Sequence, residues 1–77
     1  MIPKEKILVS IGGVFLTKAL HLKYCHIEAI NTLDLQEHSF VAAAQIVHKN
    51  GTSETVRVKL FYRRDRKRYS CYKYSYV

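Results

Sequence analysis

The residues with chemistry to offer are gathered in the last third of the chain. Arg57 and Lys59 alternate along one stretch, and Arg63, Arg64, Arg66, Lys67 and Arg68 fill five of the next six charged positions. Tyr62, Tyr69, Tyr72 and Tyr74 are interleaved with them, with Lys73 between the last two. Guanidinium and ammonium groups neutralise oxyanions, while phenol rings present flat faces worth about 1–3 kcal/mol per stacked nucleobase. Cations and rings in alternation therefore suit a polyanion that carries aromatic groups. Single-stranded nucleic acid, bound without sequence preference, is the expected partner, because no helix-turn-helix, zinc-finger or RNP signature is present.

Charge asymmetry supports the same region. Lys4, Lys6, Lys18 and Lys23 are balanced by Glu5, Glu28, Asp34 and Glu37, so residues 1–48 are neutral. Nine cations follow from Lys49 onward against only Glu54 and Asp65, which places the whole net charge of +7 in residues 49–77. All five arginines and five of the six tyrosines lie there too. One-sided charge of this kind points to an anionic partner on one face. An acidic protein surface fits it as well as nucleic acid does. Tyr and Arg are the residues most enriched at interface hot spots, so the alternative function is an inhibitor or accessory subunit docking through these strands.

Other chemistry is poorly supported. His21, Cys25 and His26 are close in sequence, with His38, His48 and Cys71 elsewhere, but no C-x₂₋₄-C occurs to complete the one H-x₄-H spacing, His21 to His26, so no metal and no cofactor is expected. Cys25 and His26 are neighbours on an expected strand and point to opposite faces, which is no catalytic dyad. A small metal-independent ribonuclease is a minor alternative, with His48 or His26 as base and Arg63 or Arg68 stabilising the phosphorane. Gly12-Gly13 lacks the pattern of a phosphate loop. The expected function is binding rather than turnover.

The elements that must position these residues follow from periodicity. With 77 residues the chain has room for one domain. Leu8, Ile11, Phe15, Ala19 and Leu22 recur at helical spacing after Pro3, which predicts a helix over about residues 4–22. The competing reading is a short strand at 6–11, a Gly-Gly turn and a helix from Val14. The paired glycines would let the helix lie close on a sheet. Strands are expected at about 24–31, 39–48, 54–63 and 68–76. In the first, Cys25, Ile27 and Ala29 share a face. Asn50-Gly51 reads as a two-residue type I′ turn, pairing Val58 with Ala43 and Leu60 with Val41. Val56, Val58, Leu60 and Tyr62 then face the core, and Arg57, Lys59 and Phe61 face away. Arg63–Arg68 is expected to be a six-residue charged turn. In the last strand Tyr72, Tyr74 and Tyr76 oppose Cys71, Lys73 and Ser75.

The result is an α+β domain, an N-terminal helix packed on a four-stranded antiparallel meander. Its order of elements resembles the cystatin-like and NTF2-like arrangements, by topology alone. The expected core is Ile11, Phe15, Ala19, Ile27, Val41, Ala43, Val58 and Leu60. The apolar stretch Ile7–Leu16 is far shorter than the roughly 20 residues that span a bilayer, so no membrane role is expected. Glu5 argues against a secretory leader, and two cysteines without scaffold spacing suit reduced thiols in a cytoplasmic protein. A last strand at a sheet edge also suits a homodimer paired through that edge.

Overall fold

Residues 3–77 are described by the computed structural model, and the first of them is Pro3. Its carbonyl accepts from the N–H groups of Lys6 (3.1 Å) and Ile7 (3.3 Å), starting α1 (Lys4–Ala19). One helix therefore runs through Gly12-Gly13 without a break. It ends three residues before the expected limit because the chain turns left-handed at His21, φ +53°. Leu22 N–H then donates to Thr17 O (2.9 Å) and His21 N–H to Lys18 O (3.3 Å). That pair of bonds is the Schellman closure, which usually places glycine where His21 stands.

Four strands follow as a meander, β1 (Tyr24–Asp34), β2 (Ser39–Val47), β3 (Ser53–Asp65) and β4 (Arg68–Tyr76), hydrogen-bonded in chain order and antiparallel throughout. The α+β architecture read from the sequence is the one observed. α1 lies across one face of the sheet, packing chiefly on the two edge strands β1 and β4.

The face that α1 turns to the sheet is Leu8, Gly12, Gly13 and Leu16. This corrects the expected stripe: Ile11 and Phe15 are only partly buried and Ala19 is exposed. The glycines explain the rotation. A Cβ on Gly12 would come within 2.6 Å of Ile27 Cδ1, 3.0 Å of Leu60 Cδ1 and 3.3 Å of Phe40 Cζ. Side chains from three strands thus close over a backbone that has nothing in their way.

The β2–β3 register is one residue away from that expected: Val58 pairs with Ala42 and Leu60 with Phe40. The cause is the turn. His48 N–H donates to Thr52 O (2.7 Å) and Gly51 N–H to His48 O (2.9 Å), with Gly51 at φ +93°. This is a three-residue loop ending in a left-handed glycine, not a two-residue type I′ turn. Asn50 braces it by accepting from the Thr52 N–H (3.0 Å) and hydroxyl (2.7 Å). An odd loop shifts the pairing by one, so Ala42 and Ala44 enter the core while Val41 and Ala43 face away.

Two bulges in β1, between Ile27 and Ala29 and between Ile30 and Thr32, change its alternation as well. Ile30 and Leu33 pack inward after Cys25 and Ile27, and Ala29 is exposed. The completed core is Leu8, Leu16, Leu22, Ile27, Phe40, Ala42, Ala44, Ile46, Val58, Leu60 and Tyr62, all at most 4% exposed.

Candidate functional site

The helix covers one side of the sheet and leaves the other open. Strand alternation puts Arg57, Lys59, Phe61 and Arg63 of β3 on that open side, since Val58, Leu60 and Tyr62 are buried beneath the helix. Opposite them on β4 stand Ser75, paired with Lys59, and Lys73, paired with Phe61. A bulge lies between the pairs Phe61–Lys73 and Tyr62–Cys71, leaving Tyr72 without an opposite residue. Its consequence is local and large. Tyr72 and Lys73 both serve the open side, and Cys71 and Tyr74 both pack against the core.

This produces a patch of rings under cations. Lys59 Nζ lies 5.2 Å and Lys73 Nζ 5.1 Å from the Phe61 ring centre. The Arg63 guanidinium lies 4.6 Å from the Tyr72 ring, and the two rings are 6.5 Å apart. Both attractions follow from the negative face of an aromatic ring. One anion borders the patch: Glu37 accepts from Lys59 at 2.7 Å and from the Ser39 hydroxyl at 2.6 Å. Those two hydrogen bonds, Lys59 first, hold the Glu37 carboxyl below the usual carboxylate range. At neutral pH it is ionised and partners Lys59.

The sequence-derived set is divided by the fold. Arg57, Lys59, Arg63, Tyr72 and Lys73 share the open side. Tyr62 does not: it is 2% exposed, its ring packed between Phe40 (6.2 Å), His38 (5.7 Å) and Tyr69 (5.9 Å). A residue so enclosed offers no ring to a ligand, which corrects its assignment. Tyr69 and Tyr74 are half-buried on the helix side, with Tyr74 against Phe15 (6.2 Å) and Tyr69 under Lys4 Nζ (5.5 Å). The expected face of Tyr72, Tyr74 and Tyr76 is therefore split by the bulge. Phe61 is absent from the sequence-derived set, although its alternation with Arg57 and Lys59 carried the signal.

Arg64, Arg66, Lys67 and Arg68 lie elsewhere, at one end of the sheet. β2 accompanies β3 only as far as Phe61, with one more bond from Tyr62 N–H to His38 O (2.9 Å). Beyond that point β3 and β4 continue alone through the pairs Arg63–Ser70, Arg64–Tyr69 and Asp65–Arg68. The turn is thus two residues long rather than six. Arg66 (φ +51°) and Lys67 (φ +69°) both adopt the left-handed conformation of a type I′ turn, and residues 63–68 are all exposed.

The groups named for ribonuclease chemistry are not brought together. His48 bonds Glu54 at 2.9 Å beside the β2–β3 turn, and His26 pairs with Gln45 near the same end, whereas Arg63 late in β3 and Arg68 at the start of β4 lie at the other end, about 30 Å from His48 at 3.3 Å per residue. Among the described residues no three His, Cys, Asp or Glu side chains gather as metal ligands. Among the described residues no helix is long and apolar enough to cross a membrane. Burial pushes the Cys71 thiol up to about 12 and raises that of Cys25, so neither is a ready nucleophile. Compared with protein families, curated proteins and solved structures, the chain finds no match.

Proposed function

We propose that the protein binds single-stranded nucleic acid on the open side of β3 and β4, without sequence preference and without turning it over. The observation that carries this reading is the pair of rings on the open side, half-buried Phe61 and exposed Tyr72, set among Arg57, Lys59, Arg63 and Lys73. Unpaired bases stack on such rings whatever their identity, and the flanking cations meet phosphates on either side. Lysine stems are flexible enough to leave the Phe61 face as a base arrives. With a net charge of +7 the protein also draws a polyanion from a distance.

Fluorescence anisotropy with labelled single strands tests it, titrated from low to near-physiological salt. Affinity should fall with a slope near −0.7 per phosphate neutralised. Phe61→Leu and Tyr72→Ala should each remove about 1–3 kcal/mol of binding while leaving the thermal midpoint nearly unchanged. Binding that vanishes at about 150 mM salt, or that ignores both ring substitutions, would leave only the general attraction of a basic protein.

A second reading is kept by the free edge of β4. That strand pairs with β3 on one side only and carries exposed Tyr72 and Tyr76. An edge of this kind accepts a strand from an acidic protein or from a second copy. Such a contact would bury tyrosines and depend far less on salt.

A further inference from the structure

The end of the β3–β4 hairpin has a distribution of charge of which the open side of the sheet uses only Arg63. Five cations, Arg63, Arg64, Arg66, Lys67 and Arg68, surround it with Asp65 as the only anion. They are not on one face. Arg63 lies over Tyr72 on the open side, at 4.6 Å, while its neighbour Arg64 lies over Tyr69 on the helix side, at 5.7 Å. Arg68 pairs with Asp65, one register step from the Arg64–Tyr69 pair, and Arg66 and Lys67 form the apex. A flat partner would meet only one half of this set. All of it can be engaged only by a partner that is concave and anionic on two walls.

The backbone argues for the same conclusion. Arg66 and Lys67 occupy the two left-handed positions where Asn-Gly is the unstrained choice. Each is disfavoured there relative to a right-handed residue, so the cations stand at the turn at the expense of stability. Strain kept at an exposed turn is a sign of a contact made by those side chains.

We infer that this two-stranded ribbon, residues 63–68, enters the major groove of duplex DNA. That groove is about 12 Å wide, admits a β-ribbon and has phosphates along both walls. Arg66 and Lys67 at the apex would reach toward the floor, and Arg64 and Arg68 toward opposite walls. The inference rests on the nucleic-acid reading and deepens it. With the ribbon in a duplex and Phe61 and Tyr72 stacked on unpaired bases, the preferred ligand is a duplex next to a single-stranded segment.

The experiment compares labelled single-stranded DNA, blunt duplex DNA and a duplex with a single-stranded overhang, all at about 150 mM salt. The overhang duplex should bind tightest, by about tenfold over either simple form. Arg64→Ser and Arg68→Ser should each weaken duplex and overhang binding about threefold or more and lower the duplex salt slope by about 0.9. Both should leave the single strand within about twofold of the parent. Duplex RNA of the same sequence should bind more weakly, because its major groove is deep and narrow. A single-strand binder that ignores duplex DNA overturns the inference and leaves the function reading intact. So does a result in which only one of the two arginines matters, or in which both weaken single strands equally. Failure of the unsubstituted protein on all three DNA probes and on single-stranded RNA of the same sequence overturns the function reading itself.

Discussion

Replacing Arg66-Lys67 by Asn-Gly should make the protein more stable, and the magnitude can be worked from the turn. Both residues sit at positive φ, +51° and +69°. A left-handed L-residue costs about 1–2 kcal/mol, so the pair holds about 2–4 kcal/mol of strain. Glycine relieves its share, asparagine only part of its own, and the extra freedom of glycine in the unfolded chain offsets about 0.5–1 kcal/mol. A net gain of about 1–2 kcal/mol remains, which in a domain of this size raises the thermal midpoint by about 5–15 °C. Removing two cations from a crowded end also relieves repulsion, so Arg66→Gln with Lys67→Gln serves as the control. That pair loses the charge and keeps the strain. Urea denaturation at about 150 mM salt, where exposed charges are largely screened, should show the Asn-Gly protein well above both the parent and the control at an unchanged m-value. Equal stability of the Asn-Gly and Gln-Gln proteins would refute the reasoning, since the gain would then be electrostatic and the turn unstrained.

Three other expectations test the packing. Gly12→Val should destabilise by about 1–3 kcal/mol, because its Cβ alone would approach Ile27 Cδ1 to 2.6 Å and overpacking of a closed core costs this much; a midpoint equal to the parent's would show that the helix does not lie so close. Tyr62→Phe should be neutral or stabilising by up to about 1 kcal/mol and should not alter nucleic-acid affinity, since the buried hydroxyl finds no hydrogen-bond partner among the described residues. A marked loss of affinity on that change would return Tyr62 to the binding surface. Native Cys71 should resist alkylation at pH 8, where a thiol pushed up to about 12 is hardly ionised, and should react once urea unfolds the chain; rapid labelling of the folded protein would contradict the burial assigned to it.

One helix and four strands were legible in the sequence because each carries a local signal: helical spacing for α1, alternation in β1, β3 and β4, and a nearly unbroken apolar run in β2. Leu8 to Leu22 repeat at helical spacing, and Val56 to Tyr62 alternate with Arg57 to Phe61 cleanly enough to name both faces of β3. The uneven charge was legible too, because counting cations requires no geometry. Registers were not. Val41 and Ala43 exchange places with Ala42 and Ala44 through a single residue in the loop at 49–51, and the choice between an even and an odd loop depends on which residues the helix must cover. The helix face was misread for a related reason: a hydrophobic stripe points to large side chains, whereas close approach selects the glycines. The candidate site depends on the same tertiary decisions. That cations and rings share β3 and β4 is a property of the sequence. Which rings are exposed is not, since the bulge at Tyr72 sends Tyr72 to the open side and leaves Tyr74 against Phe15, while Tyr62 closes the core. A period-2 pattern is blind to a bulge, because the extra residue is placed by what the core must bury on either side of it.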